Sequence, residues 1–285
     1  MATTFTRRTA LFAAATASLA AAACSGAASD QPSVDPSAKG DELPTFDKGK
    51  LTIATGEPAY SPWVENDDPA SGEGFEAAVA YAVAQELGFS KEQVTWTRTT
   101  FDAAIAPGAK DWDFNLQQFS ITEERKNAVD FSSPYYTTAQ AVVALVASPA
   151  ATAQSIADLK PVAFGVQSGV TGQRTLEQSV SPDNAPAVFN NSQDVVQALK
   201  NGQVDAIVVD LPTALYLVNA ELDSGVLVGQ FADTTGGEDL ALVLPKGSAL
   251  TAPVSAAVDR MRAAGTLDEL AQKWLSESVH APVLS

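Results

Sequence analysis

The sequence predicts an α/β fold, because short apolar runs typical of strands alternate with helical patterns along most of the chain. One cycle runs from a strand at residues 50–54 to an alanine-rich helix at 75–87, which Gly88 ends. Another cycle begins with a strand at 162–166. Such alternation is typical of sheets covered by helices. Ligands of these sheets bind beyond the carboxyl ends of the strands, so segments that follow strands are the candidate site.

Charge and residue counts narrow the function. The 285 residues include 17 Lys and Arg against 34 Asp and Glu, for a formal net charge of −17. We expect no nucleic-acid partner, because binding to a phosphate backbone relies on clustered cations. The chain has one cysteine and one histidine, His280, so a Cys/His catalytic centre or a zinc site fits poorly. We expect no cofactor, no metal and no enzymatic activity.

The N-terminus has the pattern of an exported protein. Arg7 and Arg8 precede an apolar run without charges that is short for a membrane span, so residues 1–23 are predicted to be a signal peptide. The Ala-Ala-Ala-Cys sequence that ends at Cys24 resembles a bacterial lipoprotein processing site, in which this cysteine is lipidated. The alternative is a plain signal peptide with an incidental cysteine. Residues 24–46 contain few large apolar side chains and are predicted to form a flexible tether.

The loop that follows the first strand carries two prolines, Pro58 and Pro62, and two aromatic residues, Tyr60 and Trp63. Aromatic residues in this position form a pocket wall or cap the core. Residues 130–136 have the pattern of a turn. Further elements predicted in this half are strands at 94–97, 112–116 and 139–146 and a short helix at 101–105.

Arg125 is the main candidate binding residue. A helix is predicted to begin after Thr122, which places this arginine at about the third helical position. A cation there is disfavoured by roughly 0.3 kcal/mol or more, because the helix dipole is positive at that end. A bound anion would compensate. The alternative is that Arg125 pairs with Glu123, Glu124 or Asp130 on a solvated face.

Asp210 is a candidate in the second half. It follows a buried strand at 204–209 and precedes Pro212, so it could simply cap a helix at 212–219. Other elements predicted here are helices at 171–178, 194–200 and 252–263, a strand at 240–244 and a last helix that begins near Thr266.

Six segments occur in one order along the chain: Gly-Phe-Glu at 74–76, Ser-Ile-Thr-Glu-Glu-Arg at 120–125, Val-Asp-Phe-Ser-Ser-Pro-Tyr-Tyr at 129–136, Gly-Val-Gln-Ser-Gly at 165–169, Leu-Lys-Asn-Gly-Gln-Val-Asp-Ala at 199–206 and Gly-Thr-Leu-Asp at 265–268. Together they make residues 51–276 resemble the family-3 extracellular solute-binding proteins, which are the polar-amino-acid receptors of ABC importers.

The resemblance implies a two-lobed, type II fold like that of periplasmic binding proteins, with a mixed sheet and flanking helices in each lobe. Two hinge crossings would lie near 138–142 and 237–241, so that one lobe comprises 47–139 and 238–285 and the other 140–237. The implied function is that of a monomeric lipoprotein on the outer face of the cytoplasmic membrane. It would capture a polar amino acid or similar zwitterion by lobe closure and deliver it to an ABC permease and its ATPase.

The resemblance also assigns roles to residues at the matching positions. Arg125 would clamp the ligand α-carboxylate with help from Ser120 and Thr171. Asp210 would hold the α-ammonium. Three aromatic residues complete the assignments. Tyr60 and Phe101 would hold the ligand side chain between them, and Trp63 would lie behind them.

The sequence departs from the family pattern at two places. Gln117 and Gln118 replace small residues, which narrows the cleft and adds amide groups. The loop at 56–60 is one residue longer than in the family, and its Glu57 lies near the position where receptors for basic amino acids keep a carboxylate. This favours a ligand with a polar or cationic side chain. The alternative is a loop glutamate exposed to water. Exported cyclohexadienyl dehydratases share the same fold, and an enzyme of that type is the alternative function.

Overall fold

Two mixed β-sheets organise the chain in a computed structural model, which describes residues 34–232, 237–275 and 281–285. The strands, in chain order, are β1 (Leu51–Thr55), β2 (Val94–Arg98), β3 (Phe114–Asn115), β4 (Val129–Thr138), β5 (Gln140–Leu145), β6 (Phe164–Gln167), β7 (Ala187–Phe189), β8 (Ala206–Asp210), β9 (Gly225–Phe231), β10 (Glu238–Pro245) and β11 (Val283–Leu284). One sheet has the order β2-β1-β3-β10-β4 and the other has the order β11-β9-β5-β8-β6-β7.

Helices cover both sheets. They are α1 (Phe75–Glu86), α2 (Phe101–Ile105), α3 (Glu123–Lys126), α4 (Thr171–Thr175), α5 (Ser192–Lys200), α6 (Leu211–Tyr216), α7 (Thr251–Ala263) and α8 (Thr266–Trp274). Short π-helical turns continue α4 over Leu176–Val180 and α6 over Leu217–Glu221. Short 3₁₀ turns lie at Gly40–Glu42, Glu65–Asp67, Pro69–Ser71, Lys91–Gln93, Pro149–Thr152 and Ala157–Leu159.

We call the five-stranded sheet with α1, α2, α3, α7 and α8 lobe I, and the six-stranded sheet with α4, α5 and α6 lobe II. The chain enters lobe II at Ala139, between β4 and β5, and returns to lobe I between β9 and β10. It crosses once more between α8 and β11. The two-lobed α/β architecture predicted from the sequence is therefore confirmed.

Each sheet has a hydrophobic core on both faces, which explains why its central strands are largely buried and rich in apolar residues. All five residues of β1 are buried. Ile53 packs in the cluster beneath α1 and α7, whereas Ala54 packs in the cluster that includes Phe119. In lobe II, Val142 and Val143 of β5 likewise belong to separate clusters. A strand that is buried on both sides has no polar face to alternate with an apolar one.

Gly74 allows α1 to begin directly against the loop that carries Trp63. Its backbone has a φ of 98°, and a side-chain carbon there would lie 2.6 Å from the carbonyl oxygen of Trp63. Only glycine tolerates both the conformation and the close approach. The first helical N–H, that of Phe75, then donates to the carbonyl of Pro62 at 2.9 Å.

The turn predicted at 130–136 is wrong, because this segment lies inside the ten-residue strand β4. It pairs with the antiparallel strand β10, more than a hundred residues away in sequence. Pro134 lies opposite Ala241, where the register shifts on both sides. A proline lacks the N–H that a regular ladder needs, and a bulge accommodates it.

The tether predicted at 24–46 is wrong for its second part. Residues 34–46 pack against lobe I, and Ala38 and Leu43 are buried in its core. The N–H of Phe46 donates to a carboxylate oxygen of Asp113 at 2.7 Å. Burial raises the pKa of Asp113 to about 6. Residues 24–33, including Cys24, lie outside the described residues.

The C-terminal residues lie in lobe II rather than in lobe I, where the range 238–285 placed them. Val283 and Leu284 pair in parallel with β9. Leu284 is 2% exposed and joins one of the lobe II cores, and Ala281 joins the other. Ala281 and Leu284 supply the buried area that holds this strand at the sheet edge, whereas Pro282 and Val283 are exposed.

Candidate functional site

The residues predicted to bind the ligand line two adjoining cavities between the lobes. The first cavity is lined by both lobes, and its wall includes Phe101, Gln117, Gln118, Ser120, Arg125, Thr171 and Asp210. The second cavity shares Phe101, Gln117 and Gln118 with the first and adds Glu57, Tyr60 and Trp63. All ten predicted binding residues are therefore brought together around one cleft. Their roles in binding remain predictions.

The guanidinium of Arg125 bridges the lobes. One nitrogen donates to the carbonyl of Ser120 in lobe I at 2.7 Å, and another donates to the carbonyl of Gly169 in lobe II at 2.9 Å. The ring of Phe101 lies 5.2 Å from the guanidinium carbon. Burial lowers the pKa of Arg125 to about 10, so it remains a cation at neutral pH. The local helix start is as predicted, because the hydroxyl of Thr122 accepts from the N–H of Arg125 at 3.1 Å.

The alternative in which Arg125 lies on a solvated face is wrong. Its residue exposure is 7%. The neighbouring carboxylates have other partners, since Glu123 pairs with Lys126 and Asp130 pairs with Lys246. A buried cation whose bonds go to neutral carbonyls retains its attraction for an anion in the cleft.

Asp210 enters the first cavity from the end of β8. It occupies the position before α6, yet its side chain makes no capping bond, so the alternative capping role is wrong. Its carboxylate instead accepts from the side-chain amide of Gln140 at 2.6 Å. Loss of solvent, followed by the negative charge of Glu238, raises the pKa of Asp210 to about 8. This carboxyl group is therefore poised to accept a cationic partner.

Glu238 is a residue that our reading of the sequence missed. One of its carboxylate oxygens accepts from the hydroxyl of Ser120 at 2.8 Å and from the hydroxyl of Thr171 at 2.6 Å. The amide of Gln140 donates to the same oxygen at 3.2 Å. Its position at the predicted second crossing, directly after two glycines, is the signal that would have placed it between the lobes.

Gln118 is held in place by a buried carboxyl group. Its backbone has a φ of 51°, in the left-handed region, and its N–H donates to Glu76 at 2.7 Å. The side-chain amide of Gln118 and the hydroxyl of Tyr135 donate to the same carboxyl group. Burial raises the pKa of Glu76 to about 7. Gln117 is also buried, and its amide donates to Asn115 at 3.0 Å.

The aromatic residues of the first loop contact lobe II as well as the core. The indole N–H of Trp63 donates to the hydroxyl of Thr213 at 2.8 Å, while its ring packs against Phe75. Trp63 thus forms part of both the core and the cavity wall. The hydroxyl of Tyr60 accepts from the N–H of Gln193 at 3.3 Å. These bonds join the lobes in addition to those of Arg125.

Glu57 and Phe101 occupy different environments. Glu57 is exposed, as in the alternative that made it a loop residue in water, although it also lines the second cavity. Phe101 stacks on Phe119 with ring centroids 4.8 Å apart. Its ring is therefore fixed beside Arg125.

In the described parts of the chain, no cluster of three His, Cys, Asp or Glu side chains is arranged to hold a metal ion. Nor does any helix in those parts have the length and apolar character that a membrane crossing requires.

A family model described as bacterial extracellular solute-binding proteins, family 3, matches residues 51–277. The chain belongs to this family. It is 30% identical to an L-arginine-binding protein of Pseudomonas aeruginosa, over 84% of this chain and 93% of that protein. It is also 30% identical to an L-cystine-binding protein of Escherichia coli K12, over 82% of this chain and 85% of that protein.

Solved structures agree with this assignment. An ancestral arginine-binding protein bound to arginine is 32% identical, with a TM-score of 0.67 over 80% of this chain and 99% of that chain. An ancestral amino-acid-binding protein described as a precursor of cyclohexadienyl dehydratase is 30% identical, with a TM-score of 0.65 over 80% of this chain and 96% of that chain. These relatives are named as binding proteins, so the role of this family member is solute binding rather than catalysis.

Proposed function

We propose that this solute-binding protein captures an amino acid outside the cell by lobe closure and delivers it, as a monomer, to the permease and ATPase of an ABC importer. One observation carries the proposal. The cation Arg125 of lobe I and the carboxyl group of Asp210 of lobe II, which a bound cation would ionise, line the same cavity. An amino acid is a zwitterion, so a cation and an anion on facing lobes would bind its two charges at once.

Closure follows from the same arrangement. A ligand that touches only one lobe has no differential affinity for the closed state, whereas one that touches both lobes favours closure. Both buried charges would then be paired and hydrogen-bonded, which is the condition under which burial of charge is tolerated.

We infer a ligand with a polar or cationic side chain. The second cavity has a volume of about 130 Å³, against about 60 Å³ for the first, and therefore offers the larger space beyond the two clamps. Its lining includes the polar side chains of Glu57, Gln117 and Gln118. The relatives named for arginine binding support a cationic side chain.

Thermal unfolding of residues 25–285 in the presence of each of the twenty amino acids, small amines and prephenate tests the function. At least one amino acid is expected to raise the midpoint by roughly 5 °C or more, since a ligand that binds only the native state stabilises it. That amino acid should be recovered unchanged by mass spectrometry. Prephenate is the matched probe for the enzyme, and recovery of a decarboxylated, dehydrated product would contradict the proposal.

We also propose that the chain is a lipoprotein anchored through Cys24. A tether beginning at this cysteine would hold the binding lobes near a membrane-embedded permease. Cys24→Ser is expected to release the protein from the membrane fraction into the medium or periplasm, because the lipid is attached to the cysteine sulfur. Quantitative immunoblotting of the two fractions measures this, with Ser25→Ala as the control. Membrane retention of Cys24→Ser equal to that of the control would contradict lipidation.

A further inference from the structure

We propose that Glu238 determines specificity at the carboxylate end of the cleft, because it takes the hydroxyl hydrogens that a ligand carboxylate would need. This inference rests on the proposed function, in which the ligand is an amino acid. Glu238 is the first residue of β10, where the chain returns from lobe II to lobe I. Its carboxylate therefore lies at the hinge, behind the residues that line the first cavity.

The hydrogen bonds leave few donors for a ligand. Ser120 and Thr171 are the two hydroxyls that the family resemblance places beside the ligand carboxylate. Each hydroxyl has a single hydrogen, and each gives it to Glu238, at 2.8 and 2.6 Å. The two hydroxyl oxygens lie 3.2 Å apart, one from each lobe. With their hydrogens committed, these oxygens face the cavity as acceptors.

Charge acts in the same direction. A ligand carboxylate next to Arg125 would lie near the carboxylate of Glu238, which the amide of Gln140 joins to the carboxyl group of Asp210. Like charges that share a site repel. The ammonium group of a ligand, in contrast, is attracted by Glu238 and by Asp210, whose carboxyl group ionises when a cation binds. Glu238 thus weakens the binding of the ligand's carboxylate and strengthens the binding of its cationic groups.

Glu238 has room to yield to a ligand. On its other side it lines a separate groove at the hinge, together with Thr138, Ala139 and Gly237. The residue is half-buried, so its side chain has a route toward solvent. When a ligand carboxylate displaces the Glu238 side chain, it can accept the two hydroxyl hydrogens. The displacement itself lowers the affinity for that ligand. A ligand without a carboxylate leaves these bonds intact.

The test compares amino acids with the amines that lack their carboxyl group, on the full-length chain. L-arginine with agmatine and L-lysine with cadaverine are the probes, and calorimetry measures their affinities for the wild type, Glu238→Ala and Glu238→Gln. We expect Glu238→Ala to bind the amino acid about tenfold more tightly, the scale of one charge-assisted hydrogen bond. Its affinity for the amine should fall or stay the same. Glu238→Gln keeps an acceptor but loses the charge, and should give an intermediate gain.

Asp239→Ala is the matched control. Asp239 is the next residue, is exposed and accepts from Thr137 rather than from the cleft hydroxyls. The Asp239→Ala variant loses the same formal charge as Glu238→Ala. Its affinity for the amino acid should not rise relative to its affinity for the amine. Equal changes for amino acid and amine in Glu238→Ala, or no gain for the amino acid, would overturn the inference while leaving the proposed function intact. Failure of the wild type to bind any of the four probes would overturn both the cationic ligand and the inference.

Discussion

Arg125→Ala is expected to weaken amino-acid binding by roughly a hundredfold or more, the scale on which truncating one partner of a buried, hydrogen-bonded charge pair acts. The guanidinium is buried and bridges the lobes through the carbonyls of Ser120 and Gly169. Removing it takes away the ligand's cationic partner and one of the contacts between the lobes. Isothermal titration calorimetry with the amino acid found by thermal screening measures the loss.

Two further variants separate charge from geometry. Arg125→Lys keeps the cation but loses the planar fork, so it should recover only part of the affinity. Arg174→Ala removes an exposed cation from α4 whose charge also acts on Arg125. This variant should bind the amino acid with nearly the affinity of the wild type. Circular dichroism would establish that each variant is folded. Wild-type affinity in folded Arg125→Ala would eliminate the carboxylate clamp.

The fold class could be predicted because its signals are local. A strand such as β1 can be recognised from its own β-branched and apolar residues, and Gly88 follows the end of α1 within one turn. The position of Arg125 was equally accessible, since Thr122 caps α3 only three residues earlier. These features depend on residues that are close in sequence, so the sequence alone predicts them.

Features that depend on distant partners were not accessible in the same way. Residues 130–136 contain Asp, two Ser and Pro, which favour turns locally, and only pairing with β10 makes them a strand. Ala38, Leu43 and Leu284 are small or isolated apolar residues in polar or terminal stretches, and their burial depends on cores built elsewhere.

The site shows the same limit. The resemblance supplied Arg125 and Asp210 by position, but it assigned no role to Glu238. That carboxylate accepts hydrogen bonds from residues 118 and 67 positions away in sequence. No pattern in the sequence around Glu238 indicates either contact. A second acidic residue at the hinge becomes chemically meaningful only when both lobes are in place.

Asp210→Asn is expected to weaken binding by roughly a hundredfold, because the amide cannot pair with the ligand ammonium as a carboxylate does. The carboxyl group also predicts a pH dependence. Its pKa is raised to about 8, so at pH 7 it holds a proton in the free protein. A bound ammonium favours the charged form and lowers this pKa. Binding at pH 7 should therefore release a proton, and affinity should increase from pH 6 to pH 8.

Calorimetry at pH 7 in phosphate and in Tris measures the proton, since the two buffers differ in ionisation enthalpy. The wild type should show proton release, whereas Asp210→Asn should show less. Glu76, with a pKa raised to about 7, remains in both proteins, so the difference between them belongs to Asp210. Asp223→Asn changes an exposed carboxylate and should behave as the wild type. Equal proton release in all three proteins would contradict the ammonium clamp.

The same linkage sets the sign of the stability change. A carboxyl group whose pKa is raised on folding holds a proton in the native state that the unfolded chain has already lost between about pH 4 and pH 8. The free energy of unfolding of the ligand-free protein therefore falls as pH rises through this window. A bound cation replaces the proton and offsets that loss, so the ligand-induced increase in the unfolding midpoint should be greater at pH 8 than at pH 6. In Asp210→Asn the group does not titrate, and this part of the pH dependence should disappear from midpoints measured with and without ligand.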